Sequence, residues 1–242
     1  MRVISFGLIA TAAFTFAGSA SAFVLDFEGG DFISGRIVDD QYSLTPQGAN
    51  ISAVNLKAGP DLAVIFDTGF TNGTDEDLAS PFSSPNPQLD QAFDPGNVLI
   101  IQERNNCDVN AGLCDVADDQ AGRRTGEIEF VFNQAVTMQS VDFFDVEFNE
   151  NDNDPDSQVR LFDINDVEIL PNTFFVPNTG GDNQWNQLVF GDVGGVKRMV
   201  VEFNGSGALD NVAYVPIPAS VWLLGSALGA LFGWKRRRAT VA

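Results

Sequence analysis

Apolar and polar residues alternate along most of this chain with a period of two, the signature of half-buried β-strands. FVLDFE (23–28) puts Phe23, Leu25 and Phe27 on one face and Asp26 and Glu28 on the other, and Gly29 and Gly30 turn the chain. NISAVNL (50–56) and AVIF (63–66) are short, β-branched and bounded by turn formers. NVLIIQ (97–102) is apolar on both faces, which predicts a central strand covered on both sides. The strongest run is EIEFVF (127–132), MQSVDFFDVEF (138–148), QVRLF (158–162) and VEIL (167–170). QLVF (187–190), RMVVEF (198–203) and ALDNVAYV (208–215) complete it. No convincing amphipathic helix lies between the two ends, and the turn signals recur at the roughly 8 to 12 residue spacing of all-β folds. The pattern predicts an all-β chain forming a single antiparallel β-sandwich over residues 23–214.

One stretch breaks the period. Residues 68–96, TGFTNGTDEDLASPFSSPNPQLDQAFDPG, hold three Ser-Pro or Asn-Pro steps and few β-branched residues. It reads as a long loop, either carrying a binding function or lacking fixed structure.

The ends differ from the middle. Arg2, the apolar run Val3 to Phe16 and the small residues Ala20, Ser21 and Ala22 read as a secretory signal peptide over 1–22, so export is expected. At the other end, Ala219 to Trp234 is free of charge and is followed by Lys235, Arg236, Arg237 and Arg238. A helix over about 219–234 would be roughly 24 Å long, short for a bilayer core of about 30 Å, and its basic flank would stay cytoplasmic.

Five of the 13 basic residues (Arg2, Lys235, Arg236, Arg237 and Arg238) lie in those ends, leaving eight against all 33 acids and a net charge of −25 between them. That balance repels nucleic acid, so no nucleic-acid partner is expected, and it either solvates the surface or attracts divalent cations. Histidine is absent, which removes Ser-His-Asp and Cys-His catalysis and His-ligated zinc. Only a carboxylate pair would remain for hydrolysis of a glycan, nothing selects two of the 33 acids, and no enzyme activity is expected. Cys107 and Cys114 are the two cysteines; in an exported chain a disulfide-closed loop is expected, since the spacing is not C-x-x-C.

The order Val215, Pro216, Ile217, Pro218, Ala219, then a Gly/Leu/Ala-rich span and the Arg236, Arg237, Arg238 cluster, resembles a PEP-CTERM sorting signal of the VPxPA kind, with Ile217 where the subtype has Glu. The resemblance implies a sorting tail over 215–242, a transient transmembrane anchor and an exosortase as partner. It also implies release from the inner membrane of a Gram-negative bacterium to the cell surface or matrix. There a structural or adhesive role is expected, with exopolysaccharide as a further partner.

LDFEGG (25–30) and GSGALDNVAYV (205–215) resemble the paired terminal strands of secreted bacterial jelly-roll domains, carbohydrate-binding modules among them. GNVLIIQE (96–103) and DDQAGRRTGEIEFVF (118–132) resemble ectodomains found upstream of PEP-CTERM tails. The first resemblance implies a jelly-roll-like sandwich with calcium held by Asp26, Glu28 and Asp210. A weaker calcium candidate is Asp152, Asp154 and Asp156 in NENDNDPDS, whose alternate spacing is similar to part of an EF-hand loop. The alternative function is glycan binding, for which Trp185, Tyr42 and Phe174 are the aromatic residues in polar surroundings.

Overall fold

The alternation closes into antiparallel pairs. The computed structural model describes residues 21–71, 75–119, 126–146, 157–169 and 174–217, all of them within the unit Ser21–Ile217. The described strands are β1 Phe23–Leu25, β2 Ile37–Val38, β3 Ala49–Asn55, β4 Ala63–Asp67, β5 Asn97–Ile101 and β6 Cys107–Asp108. They continue with β7 Leu113–Cys114, β8 Gly126–Phe144, β9 Gln158–Phe162, β10 Phe174–Phe175, β11 Trp185–Phe203 and β12 Ala208–Pro216. Their hydrogen-bonded order is β10-β9-β11-β8-β12-β5-β4-β2, with β1 on β12, β3 on β8, and β6-β7 as a separate pair. The fold is an all-antiparallel β-sandwich.

Two strands of 19 residues hold it together. The runs read separately as 127–132 and 138–148 are one strand, β8, because the intervening Asn133, Gln134 and Ala135 include no residue that forces a turn. The early half of β8 pairs with β3 (Ile51↔Phe130) and its late half with β12 (Leu209↔Phe143), while β11 follows its other edge throughout. β11 keeps pace by shifting register three times, between Val189 and Val193, Gly194 and Val196, and Val196 and Arg198; at the first, Gly191 and Asp192 take left-handed φ of 68° and 65°. β8 ends at Phe144, not at Phe148, because Asp145 turns out of the strand at a φ of 53°.

β4 and β5 are buried on both faces, as NVLIIQ predicts. Ala63, Ile65, Leu99 and Ile101 enter the main core between the sheets, with Phe130, Phe132, Phe143 and Tyr214. Val64, Phe66, Val98 and Ile100 point the other way into a second core. That second core is roofed by residues 75–96, most of the stretch read as a loop. Leu78, Phe82, Leu89 and Phe93 pack down from it against Phe144 and Trp185. Phe82 and Phe93 exchange backbone hydrogen bonds at 2.7 and 2.9 Å, and the Trp185 indole N–H donates to the Asp90 carbonyl at 3.0 Å. The segment is a packed cover. Cys107 and Cys114 form the expected disulfide across β6-β7.

The expected C-terminal transmembrane helix is corrected. Among the described residues no helix is long and apolar enough to cross a membrane. Residues 219–234, with Pro218, Ala219, Arg236, Arg237 and Arg238, lie outside the described residues, as does the signal peptide apart from Ser21 and Ala22. Val215 and Pro216, taken as the start of a sorting tail, belong to the sandwich. Pro216 pairs with Val136 at the end of β12, where its missing N–H costs no ladder bond, and the Ile217 N–H donates to the Ala135 carbonyl at 3.2 Å. With no spanning helix shown, the membrane partnership, the exosortase partnership and the localisation through a transient inner-membrane anchor are withdrawn.

The roof makes a claim that distinguishes it from an unstructured loop. Phe82→Ala is expected to lower stability by about 3–5 kcal/mol, the cost of emptying a fully buried aromatic site. Urea denaturation checks it, and a loss below about 0.5 kcal/mol contradicts the packed cover.

Candidate functional site

Of the calcium candidates, Asp152, Asp154 and Asp156 lie outside the described residues. Asp26, Glu28 and Asp210 are drawn to one region by the pairing of β1 with β12, but they occupy different environments. Glu28 is exposed, and its Oε1 accepts the Asn97 N–H at 2.6 Å, fixing the start of β5. Asp26 is exposed and accepts the Glu28 N–H through Oδ1 at 3.3 Å. Asp210 is 1% exposed, and its Oδ1 has no hydrogen-bond partner. Burial, then Asp142, Glu28 and Asp26, push the Asp210 carboxyl up to about 9. Asp142, directly across the ladder, is a neighbour that the sequence did not single out; burial raises it too, against hydrogen bonds from Gln187 and Asn211. Among the described residues no three or more Asp, Glu or Cys side chains are arranged to hold a metal.

The aromatic candidates are structural. Trp185 is 5% exposed and packs on Phe93 with ring centroids 4.5 Å apart. Tyr42 stacks on Phe32 and its hydroxyl accepts the Phe27 N–H at 2.9 Å. Phe174 meets Phe190 edge-on. Trp185 is buried, and Tyr42 and Phe174 are half-buried.

An open aromatic lies elsewhere, beside a pocket where the roof meets the disulfide segment. The pocket has a volume of about 170 Å³ and is lined by Ser34, Phe66, Phe70, Thr71, Asp115, Val116 and Ala117. Phe66 and Ala117 are buried and form its apolar floor; Phe70 is 66% exposed, and Ser34 and Asp115 are exposed. Three segments are fastened here by main-chain bonds. The Gly35 N–H donates to Ile65 and the Cys114 N–H to Gly35, both at 2.8 Å, and the Asp115 N–H donates to Asn106 at 3.0 Å. Gly35 has a φ of 83°, and a Cβ there would stand 2.3 Å from the Cys114 carbonyl oxygen, so only glycine permits this approach. In the sequence Phe70 and Asp115 sit in polar stretches without period and give no signal.

A second group of buried acids was also missed. Asp75, Asp119 and Asp145 are 2%, 1% and 3% exposed. Burial, then neighbouring carboxylates, push Asp75 up to about 7 and Asp119 well above the usual range, with Asp118 the largest charged influence on Asp75 and Asp75 on Asp119.

No protein-family model matches the chain, and no curated protein sequence matches it. The likeness to PEP-CTERM proteins, which implies a spanning helix that the described residues do not contain, is corrected, and the role as an exosortase-processed surface component falls with it. Among solved structures, the chain is similar to a Streptococcus pneumoniae fucose binding module at 15% identity and a TM-score of 0.27, over 48% of this chain and 78% of that one. Discoidin II from Dictyostelium discoideum is similar at 11% identity and a TM-score of 0.32, over 50% and 49%. So is the enzymatically active domain of tailspike protein 4 of bacteriophage CBA120, at 11% and 0.31, over 78% and 22%. At these TM-scores the likenesses carry no inference about ligand.

The Asp210 carboxyl gives the domain a pH signature. Its folded value of about 9 lies above the ordinary 3.8, so the folded state retains a proton that the unfolded chain has released. This contribution to stability is whole below about pH 4 and is lost as pH rises through about 9, at up to ~1.4 kcal/mol per pH unit. Melting midpoints measured from pH 6 to 9.5 should fall, and Asp210→Asn should flatten the fall; an unchanged slope in the variant contradicts this assignment.

Proposed function

We propose that this chain is a non-catalytic carbohydrate-binding module that seats one residue of a neutral glycan in the Phe70–Asp115 pocket. The observation that carries the proposal is the exposed Phe70 ring set beside a carboxylate and two hydroxyl side chains over an apolar floor. A pyranose has an apolar C–H face and a hydroxyl rim. The Phe70 ring suits the first, and Asp115, Ser34 and Thr71 suit the second, a carboxylate being able to accept from two hydroxyls at once.

Size and charge narrow the ligand. At about 170 Å³ the pocket is smaller than the roughly 300–1,000 Å³ of drug-sized sites, which favours a single sugar ring over a long chain segment. The chain carries −20 overall, so uronate or sulfated glycans would be repelled and neutral ones favoured. Hydrolysis of a glycosidic bond calls on two carboxylates flanking it, whereas Asp115 is the one acid lining this pocket.

A neutral-glycan array probed with the purified chain tests the reading. Phe70→Ala is expected to weaken retention at least about tenfold, equivalent to ~1.4 kcal/mol. Its stability should stay within about 0.5 kcal/mol of the parent because the ring is largely exposed. Undiminished retention by Phe70→Ala, or no retained glycan at all, overturns the proposal.

A further inference from the structure

The pocket's two walls run into the buried acids. Asp115, Val116 and Ala117 lead directly to Asp118 and Asp119, and Asp75 is four residues beyond Thr71 in the sequence. Asp75 Oδ2 accepts the Asp119 N–H at 3.2 Å, and Asp119 Oδ2 accepts the Gly207 N–H at 3.1 Å. Asp145 lies on the same side and reaches Ser206 Oγ at 3.5 Å. The roof, the disulfide segment and the turn before β12 thus meet around three aspartates.

The unfinished part of this arrangement points to a ligand. Asp75 Oδ1 and Asp119 Oδ1 are both buried and have no hydrogen-bond partner, although their side chains are 2% and 1% exposed. Burying a carboxylate oxygen without a partner costs several kcal/mol in general, so such atoms call for an explanation. Among the described residues Arg104 is the cation that acts on Asp75, and it pairs with Asp118 instead. Among the described residues no ion pair reaches Asp75 or Asp119.

We propose that Asp75 and Asp119 bind one calcium ion through their unpartnered oxygens, and that the ion pins the roof to the disulfide segment behind the pocket. Oxygen-only donors on irregular backbone suit a hard cation, and calcium accepts six to eight such ligands in flexible geometry. Two carboxylates do not complete that shell. Main-chain carbonyls of the three segments and water would supply the balance, and Asp145 stands close enough to add charge. The site is distinct from Asp26, Glu28 and Asp210, and it does not depend on the pocket's occupant.

Thermal melts of the full chain in EDTA and across 10 µM to 10 mM calcium test the site without any glycan. Calcium at about a hundred times its dissociation constant should raise the midpoint by about 5–10 °C. Asp75→Asn/Asp119→Asn should abolish that rise while melting in EDTA no lower than the parent, since an amide oxygen at each position can still accept the Asp119 and Gly207 N–H groups while the buried acids are removed. No calcium-dependent rise in the parent overturns the proposal, and so does a rise of full size in the double variant, which would place the ion elsewhere. Glycan retention that fails while the calcium shift persists would count against the pocket alone.

Discussion

The domain depends on a strand pair that is apolar on both faces. β4 and β5 send alternate side chains into two cores, Ile65 and Leu99 towards the opposite sheet and Phe66 and Val98 away from it. A sheet in which both faces exclude water must be covered twice, whereas an antiparallel sheet ordinarily leaves one face wet. The first cover is the opposite sheet; the second is improvised from residues 75–96 and the disulfide segment. The pocket is the seam between those two pieces of cover, which is why its floor is apolar and its rim polar.

That origin explains what could be read in advance. NVLIIQ announced burial on both faces because six apolar or amide residues without alternation have no wet side to offer. The Cys107–Cys114 pair was legible from compartment and spacing, and the β-sandwich from alternation in β3, β8, β9, β11 and β12. The roof was not legible, since Leu78, Phe82, Leu89 and Phe93 are spaced by prolines and turns and share no period. Nor were the buried acids. Asp142 sits in VDFFD at the ordinary position of a solvent-facing residue, and only the packing of β8 against β12 and β11 shows that water is excluded there. Against 33 acids in the chain, the few that are enclosed carry no mark of their own.

Apart from Arg104, which pairs with Asp118, the ion-paired cations among the described residues lie away from the enclosed carboxylates. On the face where β8, β11 and β9 run together, Arg198 bonds Glu129 at 3.0 Å and also pairs with Asp166, its guanidinium 3.7 Å above the Phe162 ring. Arg160 lies between Glu127 and Glu202 on the same face. These half-exposed pairs add little stability individually, but they draw the positive charge to one side of the sandwich. Asp75 and Asp119 are left to protons, main-chain N–H groups and whatever ion reaches them.

The pairing of β1 with β12 sets how the fold answers to tension. Phe23 lies opposite Tyr214 and Leu25 opposite Val212, so the outward ends of both strands leave from the same rung. A pull between Phe23 and Pro216 would part that seam like a zipper, bond after bond, instead of straining all its rungs together. The first yielding would strip β1 from its neighbour while β12 still lies along β8, making this edge a soft mechanical element attached to a much stiffer body.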